Sequence, residues 1–235
     1  MNLGQVTYEV TENIRRYGVG IAARDVAYRA AGKLIPLTIL KGLTAEPRDV
    51  DPAWFMGSRV LTRFATDREV LDAASQPEWA GVLPPATASE LFDSGSRCVG
   101  SFDSGRLVSI AWYSRHAARV SDRYWLRFSG EWVCRHHPYT LPEYRTLRLD
   151  AAGTSWAVLQ YADEGARGLL SCIDTHDFVS QRAARQMGYR AFGELGVAIV
   201  AGREIAFASP GCRPFQISLG PLETAGSIEP SRFTT

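Results

Sequence analysis

The order of apolar runs and turn signals predicts an α+β fold: a mixed, mostly antiparallel central sheet flanked by helices, with a helical extension at the N-terminus. Three observations carry this. Apolar runs at residues 97–102 and 106–114 are joined by Asp103-Ser104-Gly105, a hairpin link. A helix, a strand and a helix then follow at residues 147–162, 168–173 and 177–187. A second hairpin, residues 189–200 and 204–208 through Ala201-Gly202, closes the pattern. A meander followed by a crossover requires both antiparallel and parallel pairing in one sheet, with helices on its faces.

The elements follow in chain order. Residues 12–41 are rich in Ala and aliphatic side chains, and their apolar positions fit helical spacing loosely. Pro36 ends or kinks this helix near Leu34 or Ile35. Its surrounding arginines and lysines leave two readings open, a membrane-surface helix or one that docks on the main domain or on a second subunit. Residues 44–52, with Pro47 and Pro52, read as a linker. Residues 59–65 form a strand, and Thr66 or Asp67 caps a helix over 68–74. The proline-rich stretch 76–85 is a loop, and a short helix over 87–92 is capped by Thr87 or Ser89. Residues 124–134 form one strand with Gly130 as a bulge, and 136–142 form a loop holding two prolines. Gly188 stops the helix at 177–187. Three segments result: a separable extension and linker at 1–52, a catalytic fold at 53–209, and an irregular tail at 210–235.

Composition removes several classes of function. Lys plus Arg is 26 against 25 for Asp plus Glu, a balance that argues against nucleic-acid binding. Only Lys33 and Lys41 are lysines; the other basic residues are arginines. No apolar stretch reaches the length of a transmembrane helix, and the first residues lack the apolar core of a secretion signal. Cys98, Cys134, Cys172 and Cys212 form no CxxC pair, so neither a structural zinc site nor a disulfide framework is expected; a reducing cytoplasm is. The four histidines form no HExxH motif, and no metal is expected.

Over residues 59–209, this order and three local signatures resemble the GNAT superfamily of acyl-CoA-dependent N-acyltransferases. The first is the hairpin GSFDSGRLVSIAWYS. The second is Trp132-Val133-Cys134 followed by Pro142-Glu143-Tyr144-Arg145-Thr146-Leu147-Arg148-Leu149, similar to the family's fourth strand and pyrophosphate loop. The third, Asp177-Phe178-Val179-Ser180 with Arg185-Gln186-Met187-Gly188-Tyr189, resembles the family's Asn-x-x-Ser helix ending in Lys-x-Gly-Phe.

The resemblance implies acetyl-CoA or another acyl-CoA as donor and a small-molecule amine as acceptor, joined by direct attack in a ternary complex. It implies donor contacts at Val133, Cys134 and Arg135, at the loop Arg145, Thr146, Leu147, Arg148, Leu149 and Asp150, and at Asp177 and Ser180. A helix start suits pyrophosphate because its amides and dipole face an anion. Arg148 and Asp150 stand where the family has small residues. Arg148 offsets that as a phosphate ligand, and Asp150→Gly is expected to tighten binding. The altered loop also admits an acyl-carrier-protein donor or a non-catalytic binding module, and a homodimer is open. Glu131, His136 and His137 are the base candidates, by position near the strand's end and by imidazole titration near neutrality. The family's usual thiol acid, a tyrosine, is replaced by Ala184.

Overall fold

A computed structural model describes residues 36–55, 59–120 and 124–221, together with four helical positions, Val19, Gly20, Ala23 and Val26. An eight-stranded sheet has the order β10-β9-β1-β8-β7-β4-β3-β2, and a three-stranded sheet the order β11-β6-β5.

Strand β1 (Leu37–Ala45) lies inside the large sheet. It pairs antiparallel with β8 (Gly168–Asp174) on one side and with β9 (Arg190–Val200) on the other. This corrects the expectation of a boundary between separable segments at residue 52; the strand begins just past Pro36, where the helix was expected to end or kink. The run LTILKGLTA alternates β-branched and leucine positions that bury in sequence order against two partners far away in the chain. Residues 37–45 are therefore part of the fold. Apart from Val19, Gly20, Ala23 and Val26, the expectations for residues 1–35 lie outside the described residues.

Strand β2 (Leu61–Ala65) leads into α1 (Asp67–Ala74). Thr66 caps α1 through a reciprocal pair: Glu69 N–H donates to Thr66 Oγ1, and Thr66 N–H donates to Glu69 Oε2 at 2.9 Å. The helix α2 (Pro85–Asp93) begins at a proline rather than at Thr87 or Ser89, because proline needs no N–H partner in the first turn. β3 (Arg97–Asp103) and β4 (Arg106–Ser114) form the expected hairpin, with Ser104 and Gly105 both at positive φ.

Residues 124–134 are two strands rather than one. β5 (Ala117–Arg119) and β6 (Tyr124–Arg127) belong to the small sheet. The chain turns at Gly130, and β7 (Trp132–Thr140) enters the large sheet. β7 continues through Pro138, so 136–140 is strand where a loop was expected. α3 (Leu149–Asp163), β8 and α4 (Phe178–Gln186) make the crossover. β9 and β10 (Arg203–Ala208) close the sheet. Gly188, at φ +90°, ends α4, and an added Cβ would meet the Asp49 carbonyl oxygen at 2.0 Å. The tail is not irregular throughout: β11 (Ser218–Pro221) pairs with β6. The remainder of the tail, from residue 222, lies outside the described residues.

The architecture is the one expected, a mixed, mostly antiparallel sheet flanked by helices, with one parallel pair among the described strands. That pair, β7 with β8, is four residues long, from Trp132↔Gly168 to Arg135↔Ser171.

Candidate functional site

Beyond Arg135 and Ser171 the parallel strands separate. β7 continues on β4 alone, with Trp112 opposite His136 and Ile110 opposite Tyr139. Two residues of β7, His137 and Pro138, therefore stand opposite Ala111, which is a β-bulge, and His137 sits at φ +45°. Pro138 donates no ladder bond, which suits it to the bulge. β8 continues on β1 alone, with Gly42 opposite Cys172 and Leu40 opposite Asp174. The gap between them is a cleft of about 370 Å³.

One wall of the cleft carries Arg135, His136 and His137; the other carries Asp177, Ser180 and Ala184. Asp177 is the N-cap of α4, where its Oδ1 accepts the Ser180 N–H at 2.9 Å. The sequence therefore folds α4 with its capped end at the cleft. Arg119, from the small sheet, also reaches the cleft.

Arg135 is buried and ion-paired to Asp150 in the first turn of α3. Burial alone would pull the guanidinium pKa down; the Asp150 carboxylate beside it more than offsets this and holds the charge. Its Nε is buried and makes no hydrogen bond among the described residues. Asp150 thus has a structural partner, which corrects the expectation that it only repels phosphate. Its replacement by glycine would strand a buried cation.

His136 is also buried. Its Nε2 lies 2.8 Å from Ser114 Oγ and its Nδ1 lies 2.7 Å from His137 Nδ1. Burial, then His137 and Arg135, push its pKa well below the ordinary imidazole value, so it is neutral near pH 7. Burial pushes the Cys134 thiol up to about 12. The Cys172 thiol is pushed well up too. Neither is a thiolate nucleophile at neutral pH.

A second cavity of about 440 Å³ adjoins the first at Asp150 and Met187. Arg145, Arg148 and Trp54 line it. Arg148 is the N-cap of α3 in the left-handed region, φ +54°, with its guanidinium 5.1 Å from the Trp54 ring centre. Arg145 Nε donates to the Thr140 carbonyl at 3.4 Å. First-turn amides of a helix have no acceptor within it, so two arginines and a helix start converge here.

The other sequence candidates separate. Glu131 precedes β7 at the closed end of the parallel pair, about 13 Å along the strand from Arg135 at 3.3 Å per residue. It is exposed there and cannot serve chemistry in the cleft. The misplacement follows from reading 124–134 as one strand. Val133 and Leu149 are core side chains. Only their backbones are available to a ligand. Thr146 and Leu147 are exposed ahead of α3. Trp54, Arg119 and Ser114 were not singled out by the sequence. The tryptophan's Pro-Ala-Trp setting gave no signal of its position.

No protein-family model matches the chain, and no curated protein matches it. Solved structures do. A functionally unknown conserved protein from Staphylococcus epidermidis is 12% identical, TM-score 0.45, with 74% of this chain and 64% of that one covered. A GCN5-related N-acetyltransferase-like protein from Streptococcus suis is 14% identical, TM-score 0.45, with 75% and 66% covered. The aminoglycoside N-acetyltransferase AAC(6′)-Iy in complex with CoA is 18% identical, TM-score 0.41, with 55% and 91% covered. The chain spans just under two thirds of the length of the first two.

Proposed function

We propose that this protein is an N-acyltransferase that moves an acyl group from a coenzyme-A thioester to a small amine. The observation that carries the reading is the opening of β7 from β8 at Arg135 and Ser171, with two histidines on the wall of the resulting cleft and an arginine-lined cavity adjoining it.

The residues suit the donor. Arg145, Arg148 and the start of α3 offer charged and backbone donors for a pyrophosphate. The cleft past Asp150 has the shape and the polar edge for a thioester arm. A bound donor would supply an activated carbonyl carbon there. Arg135, at the strand opening, keeps its positive charge beside the cleft and so favours oxyanion charge there. His137 stands where it can take the proton of the attacking nitrogen. With Cys134 and Cys172 held as thiols, attack is direct and forms no acyl-enzyme. Four free cysteines fit a reducing compartment such as the cytoplasm. No described helix is long and apolar enough to cross a membrane, and no group of three metal-ligating side chains lies among the described residues.

Thiol release from acetyl-, longer acyl- and carrier-bound donors against an amine panel tests the reaction. Calorimetry with acetyl-CoA tests the donor site. Arg145→Ala and Arg148→Ala are each expected to raise the dissociation constant about tenfold, for a charged hydrogen bond of about 1.5 kcal/mol. Absence of both binding and thiol release in the wild-type protein would overturn the reading.

A further inference from the structure

His136 is one link in a longer chain of hydrogen bonds. Its Nε2 meets Ser114 Oγ at 2.8 Å, Ser114 Oγ meets Ser96 Oγ at 2.7 Å, and Ser96 Oγ meets Ser94 Oγ at 3.2 Å. Ser94 Oγ in turn donates to the Leu91 carbonyl at 2.7 Å. Ser114, Ser96 and His136 are buried, whereas Ser94 is exposed at the end of α2. The chain runs from β7 past the end of β4 to the residues just before β3, and joins the cleft to the exposed end of α2.

Its proton order is fixed by counting. A carbonyl only accepts, so Ser94 spends its one hydroxyl proton on Leu91. Ser96 must then donate to Ser94, and Ser114 must donate to Ser96. Ser114 has no proton left for His136, so His136 Nε2 carries the hydrogen and donates to Ser114. His136 is neutral because burial beside Arg135 and His137 disfavours its cation, so its Nδ1 is a lone pair. At 2.7 Å that lone pair requires a hydrogen on His137 Nδ1. With that hydrogen on Nδ1, the His137 nitrogen that can take a further proton is Nε2. Every hydrogen along five residues points away from the cleft.

We propose that His137, His136, Ser114, Ser96 and Ser94 form a proton relay between the cleft and solvent at the end of α2, through which His137 serves as base and then as acid. This rests on the acyl-transfer reading. In the forward stroke the N–H bond of the attacking nitrogen breaks and His137 Nε2–H forms. His137 Nδ1 passes its proton to His136 Nδ1, and His136 Nε2 passes its own to Ser114. Each hydroxyl hands its proton to the next, and the exposed Ser94 turns its hydroxyl from the Leu91 carbonyl to solvent and releases one to water. In the return stroke His137 gives its Nε2 proton to the departing sulfur, each link takes its proton back, and Ser94 takes one from water. The amine has become an amide, the thioester a thiol, and no net proton is gained or lost. His137 thereby supplies the thiol proton that Ala184 cannot, and the relay carries the charge it holds in between.

Ring-nitrogen NMR of the full chain reads the tautomers without turnover. Hydrogen on His137 Nδ1 and on His136 Nε2 is expected; hydrogen on His136 Nδ1 in the resting protein overturns the relay. In thiol-release kinetics, Ser114→Ala and Ser96→Ala should lower kcat by about 10- to 100-fold with KM unchanged, and Ser114→Thr should restore it. If the wild type transfers acyl groups and both buried-serine variants keep its kcat, the relay fails and the acyl-transfer reading stands. If the wild type releases no thiol from any donor and amine, the acyl-transfer reading fails, and the relay's part in it, whatever the tautomers.

Discussion

The large sheet is two four-stranded antiparallel halves, β2-β3-β4-β7 and β8-β1-β9-β10, joined by the short parallel pair of β7 and β8. The first half is mostly chain neighbours: β2, β3 and β4 pair in sequence order. The second half takes its inner strand from the N-terminus, so that Ala45 lies opposite Leu169 and Leu40 opposite Leu195. The halves also face the cleft differently. The first presents a buried histidine, His136, tied to a serine, with the exposed His137 beside it; the second presents the capped end of α4 and small side chains such as Ala183 and Ala184. The two chemistries meet where pairing stops, because strand backbones that no longer bond each other leave both a gap and donors beside it. Among the described residues, Arg135 with Asp150 ties the first half to the crossover helix by charge at that point.

The strongest way to break this comparison is to remove β1. A chain starting at Asp51 would leave β8 and β9 without their shared partner and expose Leu43 and Ala45 contacts that are fully buried. A central strand's loss exceeds the stability of a domain this size. Circular dichroism should find no cooperative thermal transition in that fragment. A sharp melt would mean that the second half closes without β1.

A smaller effect is expected at the junction of the halves. Asp150→Gly leaves Arg135 buried without its counter-ion. Breaking a buried pair costs ~3–5 kcal/mol, and since the Asp150 side chain is 39% exposed, water reduces this to about 2 kcal/mol. Glycine in the first turn adds a few tenths more. Chemical denaturation should place the variant that far below wild type. Arg135→Met, which removes the buried charge itself, should lose less, since Asp150 keeps access to water. Equal losses in the two variants would mean that the pair is not the stabilising contact.

The two halves also differ in how far the sequence discloses them. Hairpins at Asp103-Ser104-Gly105 and Ala201-Gly202 are legible because turn chemistry is local, and both turns hold the expected positive φ values. The Asp177 cap and the Gly188 stop are legible for the same reason. β1 is not: its partners lie more than a hundred residues away, and the helical run before it blurs its start. At β7 the prolines suggested a loop, whereas Pro138 sits in a bulge on a strand whose far edge needs no further ladder bond. Of the site, Arg135, His136, His137, Asp150 and Ser180 surround one cleft, while Glu131 does not reach it. The serine relay has no sequence spacing to betray it, since Ser94, Ser96 and Ser114 come together only through the β3–β4 pairing.

The finest distinction lies at Arg148, which serves both the second cavity and the backbone. At φ +54° and ψ 33° it holds a left-handed conformation that a side chain with a Cβ adopts at a cost of ~1 kcal/mol, and that glycine adopts without it. Substituting Arg148 by alanine or by glycine removes the same guanidinium and the same contact with Trp54. The two variants should therefore bind acetyl-CoA equally weakly, while differing in stability. Glycine's greater freedom in the unfolded chain takes back part of the gain, so Arg148→Gly should exceed Arg148→Ala by about 0.5 kcal/mol, or 1–2 °C in Tm for a chain of this length. If alanine melts as high as glycine, the left-handed turn is not strained, and the arginine was tolerated there without a compensating ligand. If glycine melts higher, the chain accepts backbone strain at the head of α3 to hold a cation over the cavity. Nothing in the packing of the first turn otherwise calls for an arginine at that position, so the strain would then mark the anion site itself.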